Sequence, residues 1–251
     1  MFQIFILMRL RNTKKDTKQI IAKYFGNRIY FGPFSGLKIP EKLLNVLTLT
    51  EILGFYESCL HFVFSDLLNR KIKNIMIIGG NNGYYAAGLS NLFNPDSLFI
   101  YEMIQDLHPK IASWFENNNL SDYKILGEAT TEEFKKFEKK IDLLFMDCEG
   151  FEKTLLNPNE FNWQKNSDII VELHPFYKDN LISDFTDKFH STHSILIIYD
   201  DFDEDNKVNK ILEGLNLNIN YAQHPIHRWI NENGNKVYTS GLFLYLKRKS
   251  V

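Results

Sequence analysis

The segment Ile141 to Glu152, reading IDLLFMDCEGFE, joins an apolar run to Asp147, Glu149, Gly150 and Glu152. The apolar part has the character of a strand buried on both faces. In an open α/β sheet, ligands bind in the crevice beyond the carboxyl ends of the strands, so acids there are placed to do chemistry. A second apolar run, Asp168 to Leu173, ends in Glu172 and His174. Carboxylates and an imidazole can move a proton, anchor a hydroxyl or, as a carboxylate-rich set, hold a divalent cation. Two strand tips carrying titratable groups predict one shared site.

A second motif lies upstream. Ile75 to Ser90 reads IMIIGGNNGYYAAGLS, an apolar strand followed by Gly79, Asn81 and Gly83. Glycines there let the backbone turn tightly and approach a ligand, whose polar groups meet N–H groups at the helix start. The spacing is GxxxG, not the GxGxxG of dinucleotide sites, and by itself it fits a connecting turn equally well. The next strand ends in Glu102, where a carboxylate can accept from both hydroxyls of a ribose. The third ends in Gly127-Glu128-Ala129, where the acid can accept from an adenine amino group. Each acid singly also fits a helix N-terminal charge. Three at successive tips beside a glycine turn predict a nucleoside pocket.

The elements that must position these groups follow from periodicity. Strands are expected over Asn74 to Ile78, Ser97 to Glu102, Tyr123 to Gly127, Ile141 to Asp147, Asp168 to Leu173 and Ser194 to Tyr199. Helices are expected to start near Gly83, Gln105, Thr130, Phe151 and Lys178. Strand and helix in alternation predict a doubly wound, mostly parallel sheet with right-handed crossovers. The tail, Leu217 to Leu246, is expected to form an antiparallel hairpin closing that sheet and turning at Asn231 to Asn235. Upstream, Asn12 to Phe25 has helical spacing, Asn27 to Ile39 suits a short hairpin or arm, and Glu41 to Arg70 reads as a long helical region with a break at Gly54. The expected division is residues 1–70, a helical and hairpin appendage, and residues 71–251, the α/β domain.

Composition bounds the reading. With 44% hydrophobic and 24% charged residues, a chain of 251 can bury a substantial core. The net charge of −2, from 29 basic and 31 acidic residues, lacks the basic footprint of a nucleic-acid binder. Two cysteines, Cys59 and Cys148, do not make a disulfide framework, so a reducing cytoplasm is expected. The apolar start MFQIFILM is too short to span a bilayer and lacks the order of a signal peptide, so a packing or self-association role is expected. There is no internal repeat or low-complexity segment.

With these motifs in place, the chain resembles the FkbM-like family of class I S-adenosylmethionine-dependent methyltransferases. The resemblance rests on GGNNGYY, FIYE, IDLLFMDCEGFEKTLL and DIIVELHPF followed by FHSTH, and reaches upstream through FGPFSGLKIP and LGFYESCLH. It covers roughly residues 30–200. It implies a Rossmann-like fold, S-adenosylmethionine as methyl donor, and transfer to a hydroxyl of a sugar, glycan or natural-product acceptor. By position it implies Gly79, Asn81 and Gly83 at the methionine end of the cofactor, Glu102 at the ribose and Glu128 at the adenine. One departure stands out: the acid such enzymes usually carry two residues before the first motif glycine is Ile77 here. Losing it removes a charged interaction worth about 1.5–3 kcal/mol, for which Asp147 or Glu149 can compensate.

For catalysis, Asp147 is the first candidate base or acceptor anchor, with Glu172 and His174 sharing the proton. Alternatively, Asp147, Glu172 and His174 bind magnesium or manganese, the oxygen-loving choices for such a set. Glu152 is expected to face solvent on the first turn of a helix. Cys148 is expected to be buried and structural. His190 and His193 read as core-edge residues, and His224, His227 and Arg228 as a pocket rim. Asp200, Asp201, Asp203, Glu204 and Asp205 read as a solvated loop over a cation site. Two other readings compete with the enzyme. A degenerate methyltransferase serving as a binding or assembly module is favoured by Ile77. A nicotinamide oxidoreductase is opposed by the GxxxG spacing.

Overall fold

The structure, a computed structural model, describes residues 14–137, 139–174, 180–200, 203–217, 221, 228–232, 235–239 and 241–249. The apolar residues 2–8, Lys178, Asp201, His224 and His227 lie outside the described residues.

The strands are β1 (Asn74–Ile78), β2 (Ser97–Tyr101), β3 (Tyr123–Leu126), β4 (Leu143–Met146), β5 (Asp168–Glu172), β6 (His193–Tyr199), β7 (Arg228–Glu232), β8 (Asn235–Thr239) and β9 (Leu242–Arg248). The main sheet runs β3-β2-β1-β4-β5-β9-β6. Its first five strands are parallel, and β9 is antiparallel to both neighbours. This is the expected doubly wound, mostly parallel sheet. The chain winds outward in opposite directions from β1 and β4, so their carboxyl ends flank the point where the strand order reverses.

Alternation along each strand sorts its side chains to the two faces. Ile75 and Ile77 of β1, with Leu143 and Phe145 of β4, join one buried cluster, while Met76, Ile78, Leu144 and Met146 join another. The first cluster contains Ile21, Leu53, Phe64 and other residues from before the sheet. Arg70 ties that segment to the sheet, donating from Nη1 to both carboxylate oxygens of Asp168 at 2.8 Å.

Two expectations change. Glu41 to Arg70 forms short pieces, not one long helical region: 3-10 turns at Glu41–Leu43 and Ser58–Leu60 and helices α2 (Leu49–Leu53) and α3 (His61–Leu67), after α1 (Lys14–Tyr24). Thr48 starts α2 with a capping box to Glu51, and Gly54 ends it in the left-handed region. The tail hairpin, β7 with β8, stands as a separate two-stranded sheet, and β9 alone enters the main sheet between β5 and β6. Apolar alternation cannot tell which strand of a tail pairs with which distant partner.

The remaining helices are α4 (Tyr84–Phe93), α5 (His108–Asn118), α6 (Thr131–Lys136), α7 (Glu152–Leu155), α8 (Leu181–Phe189) and α9 (Glu204–Gly214). Among the described residues, no helix is long and apolar enough to cross a membrane.

Candidate active site

The turn after β1 builds one side of the site. Gly79 has φ +88, and a Cβ there would stand 1.7 Å from the carbonyl oxygen of Asp147. The β1 and β4 tips therefore converge more closely than any side chain permits. The N–H groups of Gly79 and Gly80 both donate to the Tyr101 carbonyl, at 2.9 and 3.0 Å. Gly83 caps α4 at φ +93, and its Cβ would meet Ile111 Cα and Trp114 Cδ1 at 2.9 Å. Gly83 thus serves the packing of the turn on α5.

Glu102 sits one residue beyond β2, buried, with Oε2 accepting from Asn81 N–H and Oε1 from Ile104 N–H, each at 2.7 Å. Each oxygen keeps a further lone pair for a ligand. The carboxylate lines a cavity of about 320 Å³ together with Gly79, Asn81, Glu128, Asp147 and Glu149. Exposed Met103, Ile104 and Phe151 give this cavity an apolar rim. Five of the six residues expected to hold a nucleoside cofactor are therefore gathered in one cavity, and Asp147 lines it with them.

Asp147 also belongs to a second cluster. His174, beyond β5, is buried, with Nε2 3.3 Å from Glu149 Oε2 and 3.8 Å from both Asp147 Oδ1 and Glu172 Oε1. Its Nδ1 lies 2.8 Å from Glu152 Oε1. Glu152 is 1% exposed, contrary to the solvent-facing position expected for it. The reason is the turn before it: Glu149 and Gly150 have φ 53 and 113, which folds the chain so that α7 begins inward. Glu152 Oε1 also accepts from Gly150 N–H at 3.0 Å.

Burial alone would push the Glu152 carboxyl up, but His174 and the Gly150 N–H more than offset it and hold Glu152 below its usual range. For His174, burial favours the neutral ring, yet Glu152, Asp147 and Glu149 outweigh it and raise the proton affinity. Cys148, half-buried, is pushed up by burial and by Glu152, so its thiol stays protonated. That fits its expected structural role.

A third group centres on Glu57, which lies before the sheet and was not singled out in the sequence. Glu57 accepts from the Tyr85 hydroxyl at 2.5 Å, and its N–H donates to Glu204 Oε1. Burial pushes Glu57 up to about 8 and, together with Asp200, Glu204 up to about 7. Glu204 is thus turned inward, a correction to the solvated acidic loop. The neighbouring Glu51 is buried and accepts from Asn82 Nδ2 at 2.7 Å, tying α2 to the glycine turn. The pattern Thr48-x-x-Glu51 was the one signal in the sequence for this region. His193 is a core residue, with Nε2 2.8 Å from the Ser167 carbonyl oxygen.

Residues 80–237 match the family described as Methyltransferase FkbM domain. The chain belongs to that family. It is an S-adenosylmethionine-dependent methyltransferase of the FkbM type, with the Rossmann-like sheet described above. No functionally curated protein matches the sequence. Solved structures of similar fold include the O-methyltransferase TomG of tomaymycin synthesis from Streptomyces achromogenes in complex with SAM, 10% identical with TM-score 0.47, covering 97% of this chain and 95% of that one. The tRNA (m1A58) methyltransferase TrmI from Aquifex aeolicus is 11% identical with TM-score 0.44, over 78% and 70% of the two chains. A SAM-dependent O-methyltransferase from Thermotoga maritima is 13% identical with TM-score 0.43, over 78% and 66%. Likenesses of this size add nothing to the family assignment.

Proposed function

We propose that this FkbM methyltransferase transfers the methyl group of S-adenosylmethionine to a hydroxyl of a sugar, glycan or natural-product acceptor. The observation that carries the reading is Asp147, which lines the nucleoside-sized cavity and lies within 3.8 Å of the buried imidazole of His174. A group that joins a cofactor cavity to a proton-handling cluster is placed where the methyl donor meets the acceptor.

The cavity residues fit the cofactor. Gly79 and Asn81 line the cavity at the glycine turn, Glu102 presents its carboxylate to a ribose, and Glu128, exposed on the same lining, to an adenine amino group. Asp147 or Glu149 takes the ammonium group in place of the missing acid at Ile77. The bound cofactor supplies an electrophilic methyl carbon. Positioning the acceptor oxygen in line with it accounts for much of the rate, and proton removal adds to it. In this reading Asp147 anchors the hydroxyl or takes its proton, with Glu172 and His174 sharing the charge.

The donor set also fits a divalent metal. Asp147, Glu149 and His174 each offer a ligand atom, all within 4.8 Å of one another, and Glu172 stands beside them. Glu152 behind His174 is the carboxylate that orients a metal-binding imidazole. Three oxygen donors and one nitrogen suit magnesium or manganese, which would neutralise the carboxylates and orient the acceptor oxygen. The near-neutral chain charge speaks for a small-molecule or glycan acceptor over a nucleic acid, and the cysteine content for a cytoplasmic setting.

Calorimetric titration with S-adenosylmethionine and with NAD, then a screen of hydroxylated glycans and sugar nucleotides with labelled cofactor, tests the reading. Binding of S-adenosylmethionine alone, with label passed to a hydroxyl, is expected. Binding without transfer to any acceptor would favour the module reading, for which apolar Ile77 speaks. Direct titration of the protein with manganese, followed by its paramagnetic signal, tests the metal.

A further inference from the structure

Asp147, Glu172 and His174 stand at the β4 and β5 tips, and the segment before the sheet brings Glu57 within electrostatic reach of Asp147. Glu57 stands in the left-handed region at φ 47, between α2 and the turn Ser58–Leu60. A non-glycine residue pays about 1–3 kcal/mol for such backbone and keeps it only where its surroundings enforce it. The enforcing contacts are specific. Its N–H donates to Glu204 at the start of α9, and the Tyr85 hydroxyl donates to Oε2 at 2.5 Å. The Tyr56 hydroxyl also bonds the carboxylate. Tyr85 is the second residue of the helix that grows from the glycine turn, and its ring packs on Phe145, two residues before Asp147, with centroids 4.3 Å apart. Tyr85 therefore bridges the cofactor turn, the β4 tip and Glu57.

We propose that Glu57 is a further catalytic residue, which takes the proton of the acceptor hydroxyl as the methyl group arrives on its oxygen. The proposal rests on the hydroxyl-methylation reading above. The step balances: the acceptor oxygen gains the methyl carbon, the carbon–sulfur bond breaks with its electron pair left on sulfur, and the hydroxyl proton passes to a Glu57 carboxylate oxygen and then to solvent. Asp147, His174 and Glu172 keep the anchoring or metal-holding role.

The surroundings suit a base. Burial pushes Glu57 up to about 8; the Tyr85 hydroxyl opposes the rise, and Asp147 and Glu204 add to it. Glu51 and Glu172 act together with Glu57 on the neighbouring Tyr56, and Asp200 acts on Glu204. The cation there, Lys207, donates from Nζ to Ser58 Oγ at 2.7 Å. A carboxylate of this strength accepts protons near neutral and mildly alkaline pH, and a sulfonium across from it favours the charged form.

The test compares binding of S-adenosylmethionine, a permanent cation, with binding of neutral S-adenosylhomocysteine. Glu57→Gln should lower the preference for the cation about tenfold at mildly alkaline pH while S-adenosylhomocysteine binds as before. In the wild type that preference should grow as pH rises through about 8, and in the variant it should stay flat. An unchanged preference in folded Glu57→Gln overturns the proposal. If that variant does not fold, Tyr85→Phe serves: losing the hydroxyl should move the pH-dependent rise upward, and no movement overturns the proposal. With a methyl glycoside that the wild type methylates, Glu57→Gln should lower kcat about 10²–10⁴-fold, and an unchanged kcat overturns the proposal. Wild-type protein that binds neither ligand would overturn the cofactor-dependent reading and this proposal with it. A fault in Glu57 alone leaves wild-type binding intact.

Discussion

Nδ1 of His174 lies 2.8 Å from Oε1 of Glu152, and both residues are buried although 22 positions separate them in the chain. This contact aims Nε2 at Asp147, Glu149 and Glu172 and fixes which ring nitrogen is available to the site. Loss of a charge-assisted contact of this kind costs about 1.5–3 kcal/mol.

Glu152→Gln should therefore lower the melting temperature, and the deficit should depend on pH. His174 is raised above 6.5, so its share of the stability is fully present below that value and lost as pH rises through the higher folded value. Glu152 is lowered below 4.5, so its share is present above that value and lost as pH falls through the lower folded value. Thermal melts across pH should show the largest gap between variant and parent from about 4.5 to 6.5, narrowing on the alkaline side. A pH-independent gap would mean that the contact is made by neutral groups.

Glu102→Ala should weaken S-adenosylmethionine binding by about 1.5–3 kcal/mol in calorimetry. The change removes two backbone contacts as well, to Asn81 and Ile104. Glu102→Gln, which retains one acceptor oxygen, should lose less. Equal affinity in a folded Glu102→Ala protein would show that the ribose is held elsewhere.

Ile77 is 0% exposed near the carboxyl end of β1, paired with Ile100 and Phe145. An acid there would be a buried, unpaired charge, so Ile77→Asp should destabilise by about 3–5 kcal/mol and gain no cofactor affinity. Denaturant unfolding with calorimetry checks both. Tighter binding with little loss of stability would show that the position can face the cofactor.

Asp147→Asn keeps shape while removing charge. If Asp147 handles the acceptor, kcat should fall about 10²–10⁴-fold with cofactor binding kept. If it holds the cofactor, affinity falls first and turnover recovers at saturating S-adenosylmethionine. If it holds a metal, EDTA should abolish activity, magnesium or manganese should restore it, and Glu172→Gln and His174→Ala should behave alike. Turnover equal to the parent's would make Asp147 structural.

Much of the fold was legible in the chain itself. The runs of β1, β2, β4 and β5 are apolar because both faces of the sheet are covered, and Glu102 and Asp147 lie one residue past the last paired position of β2 and β4 while Glu172 ends β5. That local signal placed Glu102, Asp147, Glu172 and His174 at tips on one edge of the sheet, since parallel strands all present their carboxyl ends there. The glycine turn was equally readable, although Gly79 and Gly83 have different uses: one admits the Asp147 carbonyl, the other the side of α5.

Tertiary structure alone decided the rest. Glu152 lies on a helix of one turn, too short for periodicity to show which side is buried, and its direction is set by the left-handed backbone at Glu149 and Gly150. The tail strand that enters the sheet is β9 because its neighbours, β5 and β6, leave a gap only the assembled sheet defines. Glu57 comes from a segment before the first strand and is held by Tyr85 after the glycine turn and Glu204 at the start of α9. No spacing rule links three such positions, because what brings them together is the packing of a whole sheet face and not the geometry of any one element.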